Sequence, residues 1–428
     1  IDFAAMANLS ATSYDHRYFV DGQIEVTSRA MQGNNRNILV GALGRGGRGV
    51  FALDVTDPDS MGTGDVLWDN TTQDSTADPN MGYVLGAVRI RKGNGDKTYV
   101  LVPNGIDSPN HSATLFVYEL GTGGAITGTT ELVAGTGTVD DPNGLMSLGM
   151  ADLNADGKVD VVYGGDLKGN VYRWDFSGAA LPTGAVKLFQ ATDASGTPQP
   201  ITGGIGVGRD ALGHVFVGFG TGRFILSSDV PGVGTQQVQS IYGIRDENAT
   251  IASRADLQAR TIPFVGTTAS GEQARGFENY SELLVNKKGW YIDLATPERV
   301  ISAPTISGTA MLLSSVIPAT GSDCASAAGS GFLNAINLFT GTSPESGGYL
   351  GNGGTVTDAD GNVGTLGGVG VTGGMPTEVN VTSGLATIGT GAFSVENGGE
   401  GNTNSSELGA PPGGPPGRVN WRELVPKD

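Results

Sequence analysis

The sequence predicts an all-β protein assembled from small antiparallel sheets, and three observations carry that expectation. Glycine accounts for 71 of the 428 residues and proline for another 20. Each glycine in a helix interior costs about 1 kcal/mol relative to alanine, so long helices are disfavoured. Short runs rich in β-branched and aromatic residues recur along the chain, bounded by Gly, Asp and Asn turns, which is the pattern of strands joined by tight connections. The recurrence is uneven and comes at tens of residues. That suits propeller blades with inserted loops better than a β-sandwich with extra strands.

The runs follow in order. NILVGALGRGGRGVFALDV (37–55), KTYVLVPNGIDSPNHSATLFVYEL (97–120) and KVDVVYGGDLKGNVYRWDF (158–176) each read as strand, turn, strand. HVFVGFGTGRFIL, QSIYGIRDE, GWYIDLATPERVISAPTISGTAMLLSSVIPA and GFLNAINLFTGT continue the format. In NVYRWDF, Val171, Arg173 and Asp175 alternate with Tyr172, Trp174 and Phe176, which predicts a half-buried strand. ALDVTDPDSMGTGDVLWDN resembles the Ala-x-Asp-x-x-Thr-Gly-x-x-x-Trp repeat of quinoprotein-type propellers, with Ala52, Asp54, Thr56 and Trp68 in corresponding roles. Thr56-Asp57 replaces the usual Thr-Gly step. The likeness implies that Trp68 packs between neighbouring blades. SRADLQARTI predicts a short helix capped by Ser253, with Asp256 three residues later. GRGGRG and GFGTGR lack the lysine-serine pair and helix of a phosphate loop, and read as hairpin turns that leave Arg45, Arg48 and Arg223 solvated. Surface loops are expected between Gly121 and Asn143 and in a Gly-rich insertion at about 341–376. The segment at about 396–417 is poor in hydrophobic residues and reads as a flexible or extended arm.

Composition narrows the function. Hydrophobic residues make up 38% of the chain, enough for a sizeable core, and residues 1–428 are expected to form one domain. The start, IDFAAMANLS, has neither the basic residues nor the apolar core of a secretory leader. It suggests a fragment cut from a longer protein. No apolar run approaches the roughly 18 residues of a membrane span. The net charge of −18 repels nucleic-acid phosphates and anionic lipid, so no nucleic-acid partner is expected. Cys324 is the single cysteine; it permits no internal disulfide and reads as a buried, inert thiol. His16, His111 and His214 stand far apart, outside any metal-ligand spacing, and no Gly-x-Ser-x-Gly elbow occurs. No catalytic residues, no small-molecule substrate and no enzyme activity are therefore expected.

One stretch gathers like charges in a way that needs explaining. ADLNADGKVD (151–160) sets Asp152, Asn154, Asp156 and Asp160 around Gly157. Calcium takes six to eight oxygen ligands, and loops that wrap it carry donors at positions 1, 3, 5 and 9, a carbonyl at 7 and glycine at 6. Here those places fall on Asp152, Asn154, Asp156, Asp160, the carbonyl of Lys158, and Gly157. Position 12 is Tyr163, so the bidentate glutamate of an EF-hand is missing, and the following residues read as strand rather than helix. The sequence thus predicts a shorter Asp-x-Asn-x-Asp-Gly-x-x-Asp calcium loop within a β-protein. Magnesium, which retains more water, fits this many protein oxygens less well. DADGN (358–362) lacks the later acid and reads as a plain turn.

Taken together, YDHRYFVDG, VGALGRGGRGVFALDVTDP, DLNADGKVDVVYGGDLKGNVYRWDF, GFGTGRFI, QSIYGIRDE, GWYIDL and the terminal RVNWREL resemble the C-terminal domain of the PilC/PilY family of type IV pilus biogenesis factors and tip-associated adhesins. The resemblance implies a modified seven-bladed β-propeller. Its calcium loop would be held by Asp152, Asn154, Asp156, the Lys158 carbonyl and Asp160. It further implies export to the outer membrane, cell surface or pilus tip, partnership with minor pilins and with host or abiotic surfaces, and calcium control of pilus extension against retraction, hence of twitching motility and attachment. Two other functions compete. A quinone- and calcium-dependent propeller dehydrogenase commonly needs a vicinal disulfide, which one cysteine cannot form. A purely structural calcium clip is not separable by sequence from a switch.

Overall fold

The computed structural model describes residues 6–13, 17–32, 35–71, 78–320, 329–351, 354–382, 385–393 and 401–407. The chain divides into two compact units, one of residues 1–167 and 172–187, the other of residues 168–171 and 188–428. Strands dominate both, as the glycine content requires.

Three four-stranded sheets follow one another along the chain. The first runs β1 (Ile24–Val26), β2 (Ile38–Ala42), β3 (Val50–Asp54), β4 (Val66–Asp69). The second runs β5 (Arg89–Lys92), β6 (Thr98–Pro103), β7 (Ala113–Leu120), β8 (Ile126–Gly135). The third joins β9 (Leu145–Ala151), β10 (Val161–Asp166), β11 (Asn170–Asp175) and β12 (Val186–Gln190) in the same sequential fashion. Each is the meander expected of a propeller blade. Strands β13 (Gly206–Arg209), β14 (Val215–Gly220), β15 (Ser240–Asp246), β16 (Gln258–Arg260), β17 (Phe264–Thr267), β18 (Gln273–Gly276) and β19 (Gly289–Asp293) come next. Of these, five form a sheet of order β13-β14-β15-β19-β16, with β16 parallel to β19. β20 (Thr305–Ser307), β21 (Ala310–Ile317), β22 (Ser330–Asn337), β23 (Thr355–Asp358), β24 (Val363–Thr365) and β25 (Gly368–Val371) join β17 and β18 in a sheet of order β20-β21-β22-β25-β18-β17-β23-β24. A last sheet runs β26 (Asn380–Thr382), β27 (Leu385–Phe393), β28 (Gly401–Glu407).

Core formation explains the alternation of side chains. In β6, Val100 and Val102 enter a cluster with Ile38, Val40, Val50 and Ala52 of the first sheet. Tyr99 and Leu101 enter another, with Leu148 and Trp174 of the third sheet. The two inner strands of the middle sheet, β6 and β7, are therefore buried on both faces and are mostly apolar. Trp68 sits where the repeat resemblance implies. It lies in β4 opposite Ala52, its Nε1–H donates to the Gly124 carbonyl in the β7–β8 turn of the second sheet (3.0 Å), and its ring stands 5.8 Å from that of Tyr118.

Several expectations need correction. β11 is not half-buried: Val171 through Trp174 are all buried and only Asp175 is exposed. It is an inner strand covered on both faces, so two-residue alternation carries no solvent side. The expected helix at 253–262 is a single 3-10 turn, Arg254–Asp256, followed by β16. Its cap is real, with Ser253 Oγ accepting from Ala255 N–H and Asp256 Oδ2 from Ser253 N–H. Pairing of β16 with β19 outcompetes helix extension. The stretch between Gly121 and Asn143 holds the ten-residue β8 rather than only loop. The Gly-rich insertion contains β23, β24 and β25, because glycine lets neighbouring side chains cross a strand. A Cβ on Gly364 would stand 2.3 Å from the Phe264 ring. Gly364→Val is accordingly expected to lower stability by about 1–3 kcal/mol by overpacking, read as a lower denaturant midpoint at unchanged slope. Within the expected arm, Gly401–Glu407 pairs with β27. The remainder of that arm, Cys324, His16 and the terminal RVNWREL lie outside the described residues.

Arg223 and Arg48 are also not simply solvated. The Arg223 guanidinium reaches Asp229 at 2.9 Å. Arg48 donates to the Asp107 carbonyl (3.0 Å) and lies over the Tyr83 ring. His214 bonds Asp210 Oδ2 through Nδ1 (2.8 Å) inside the β13–β14 turn, a structural role.

Candidate metal centre

The acidic stretch forms the connection from β9 to β10. These two strands pair from Ala151 opposite Val161 down to Leu145 opposite Asp166, so residues 152–160 are the end of a hairpin. Ala155 (φ 60°) and Gly157 (φ 83°) both turn left-handed. That conformation costs nothing extra at glycine but about 1 kcal/mol at alanine, and it winds the chain tightly enough for side chains to bond back onto it.

They do so throughout. Asp152 Oδ1 accepts from Asp156 N–H (3.2 Å) and Oδ2 from Gly157 N–H (2.8 Å). Asn154 Oδ1 also accepts from Asp156 N–H (2.9 Å), and Asp156 Oδ1 from Lys158 N–H (3.0 Å). Asp160 Oδ2 takes Leu153 N–H (2.7 Å). Asn154, Asp156 and Gly157 are exposed, whereas Asp160 is buried, with 4% of its surface accessible. The Lys158 ammonium stands 3.7 Å from Asp156 Oδ2.

The base of the loop is fixed by contacts that sequence reasoning missed. Val159 N–H donates to the Lys92 carbonyl (2.9 Å), and Phe176 N–H to the Asp160 carbonyl (2.7 Å). Asn94 Nδ2 donates to the carbonyls of Phe176 (3.1 Å) and Ser177 (2.9 Å). The hairpin end is thus tied to the β5–β6 turn, beside the edge-to-face pair of Tyr99 and Phe176. Nearby Asp175 is held below the usual carboxylate range, chiefly by the Ser177 hydroxyl, against the opposing effect of burial and with help from Ser177 N–H and Arg173. Lys92 and Asn94 are far from their partners in sequence, Asn94 lying 82 and 83 positions from Phe176 and Ser177, and no local motif announces them.

The donors fit a hard cation in kind: three carboxylates, one amide and a backbone carbonyl, all oxygen. They are not gathered as a cluster. Among the described residues no three histidine, cysteine, aspartate or glutamate side chains are drawn together as a metal ion would require. Each carboxylate instead spends lone pairs on the loop backbone, which fixes the winding while leaving further lone pairs unspent. The DADGN segment is the tight turn between β23 and β24, with Asp358 Oδ1 accepting from Asp360 and Asn362 N–H.

Comparison with known proteins places this geometry in context. A family model described as the PilY1 beta-propeller domain matches residues 3–262. The chain is 32% identical over 359 residues to a type IV pilus biogenesis factor PilY1 homolog of Xylella fastidiosa, covering 78% of this chain and 24% of that protein. It is 29% identical over 364 residues to the type IV pilus biogenesis factor PilY1 of Pseudomonas aeruginosa, covering 74% of this chain and 30% of that protein. The chain therefore spans less than a third of the length of these relatives. The crystal structure of the Pseudomonas aeruginosa PilY1 C-terminal domain superposes with a TM-score of 0.72 at 24% identity, over 91% of this chain and 84% of that one. That likeness supports the β-propeller fold.

Proposed function

Since the chain belongs to the PilY1 β-propeller family of type IV pilus biogenesis factors, we propose that it is the propeller module of such a factor and that its hairpin loop 152–160 binds calcium to bias pilus extension against retraction. The observation that carries the calcium reading is the loop itself, which lies inside the segment matched by the family model and winds through left-handed Ala155 and Gly157. Asp152, Asn154, Asp156, the Lys158 carbonyl and Asp160 would hold the ion, which supplies charge neutralisation and no redox or acid–base chemistry. This chain's residues do the rest. Asn154 and Asp156, exposed and bonded to the loop backbone, would supply their oxygens to the ion, while Asp160 would remain anchored to Leu153 N–H. The loop surface then changes shape and charge where a pilus component reads it. Minor pilins at the pilus tip are the proposed partners, at the cell surface or outer membrane, with twitching motility and adhesion to host or abiotic surfaces as outcomes. A non-enzymatic role accords with the pilus-biogenesis naming of the relatives.

The test replaces the chromosomal copy with the Asp156→Ala, Asp160→Ala double variant and counts surface pili and twitching zones with calcium and with chelator. The expected result is loss of the calcium response at wild-type protein levels. A calcium response identical to wild type in the double variant rejects the switch. If calcium still binds the wild-type loop in vitro, a structural clip is what remains.

A further inference from the structure

The edge of the second sheet has a property that the calcium loop does not use. β8 is ten residues long and pairs only with β7. Among the described residues every other strand at the end of a sheet has seven residues or fewer. Among the described residues no strand pairs with the far side of β8. A row of unpaired N–H and C=O groups is a template for another strand, and natural edges are blunted with lysine, proline or bulges. β8, ITGTTELVAG, contains neither lysine nor proline. Its register against β7 shifts at both ends, between Glu119 and Leu120 and between Ala113 and Thr114. Between those shifts Gly128–Val133 runs in unbroken register opposite Glu119–Thr114. The bulges therefore leave a regular edge of fixed length, six residues by that pairing.

The side chains on this edge select a partner. Thr129, Glu131 and Val133 are exposed, while Leu132 is buried and holds the strand to the core. Glu131 carries the single charge of the strand, and its Oε2 is fixed by Asn80 Nδ2 at 2.7 Å. The whole chain carries −18, so a second copy would bring acid against acid. We propose that Gly128–Val133 is a docking edge that accepts, as a fifth strand, a six-residue extended segment of a partner protein bearing lysine or arginine opposite Glu131. Main-chain hydrogen bonds would supply affinity and alternate side chains specificity.

The experiment is hydrogen exchange on the full 428-residue chain with blocked hexapeptides as probes, Thr-Lys-Val-Lys-Val-Thr against Thr-Glu-Val-Glu-Val-Thr, at millimolar concentration. With the basic peptide, exchange across 128–133 should slow on the order of tenfold, as for newly paired amides, and the acidic peptide should leave it unchanged. Glu131→Lys, at an exposed position, should reverse that preference, and Val133→Lys, which sets a like charge beside the basic peptide, should weaken the protection that peptide gives. Equal protection by the two peptides, or none at 128–133 with either, overturns the proposal. So does protection of 128–133 without peptide that rises with protein concentration alongside a dimer in sedimentation, since the edge then belongs to a second copy.

Discussion

Glu298→Ala is expected to destabilise the second unit by about 3–5 kcal/mol, because it strands a buried guanidinium without its counter-charge. Arg275 and Glu298 are each only 4% exposed at the side chain. They meet in a two-bond fork, Nη1 to Oε2 at 3.0 Å and Nη2 to Oε1 at 2.7 Å. The remaining donors and acceptors are met as well: Arg275 Nε donates to Asn334 Oδ1 (2.8 Å), Ser315 Oγ donates to Glu298, and the guanidinium lies over the Phe332 ring. Removing the acid leaves all the desolvation cost and none of the compensation. Replacing both partners with apolar residues, Arg275→Met with Glu298→Leu, removes charge and counter-charge together and should recover most of the loss. Urea midpoints at constant slope measure both. A single variant within about 1 kcal/mol of wild type, the range of an exposed ion pair, would show that the pair is solvated.

The same network shows why part of the fold was hidden. Arg275 of β18 and Asn334 of β22 bond across β25, directly over Gly368, where a Cβ would stand 2.8 Å from Asn334 Oδ1 and 2.9 Å from Arg275 Cγ. β25 needs glycine at Gly368 to let that bridge pass, and its four residues, Gly-Val-Gly-Val, are too short a run to stand out as a strand among the surrounding glycines. The same holds for β24, where Gly364 lies under the Phe264 ring. By contrast β6, β7, β10 and β21 were legible, because strands buried on both faces are continuous apolar runs with turns at each end. The 253–262 segment misled for the opposite reason. Its local signal, a true capping box, was correct, but a neighbouring strand claimed the residues that would have extended it.

The candidate site divides along similar lines. Its loop was readable because all its donors lie within nine consecutive positions, Asp152 to Asp160. Its supports were not, since Lys92 and Asn94 reach it only through the packing of one sheet on the next. Nor does spacing reveal that the carboxylates bond to their own backbone. Spacing fixes which oxygens can approach a common point, not which partner each one takes.

Calcium is expected to raise the stability of the first unit, and Asp156→Ala to abolish that increase while leaving stability without metal close to wild type. A ligand bound by the folded state alone stabilises by RT ln(1 + [L]/Kd), about 2.7 kcal/mol at a hundredfold excess over Kd. For a unit of this size each kcal/mol moves the melting temperature by roughly 2–4 °C, so a shift of roughly 5–10 °C is expected for the transition of that unit. Asp156 is exposed and its oxygens serve the loop locally, so its loss without metal should cost little. Asp160→Ala should differ, because Asp160 is buried and accepts Leu153 N–H. That variant should lose roughly 1 kcal/mol even in chelator, the worth of one hydrogen bond, as well as the calcium response. Magnesium at equal concentration should give a much smaller shift, because it surrenders its water reluctantly to a multidentate protein loop. Equal shifts from the two ions, or an undiminished calcium shift in Asp156→Ala, would mean that the ion acts elsewhere on a chain of net charge −18. The acidic hairpin would then be held by its Asx-turn hydrogen bonds alone, since Asp and Asn side chains favour such turns without any metal.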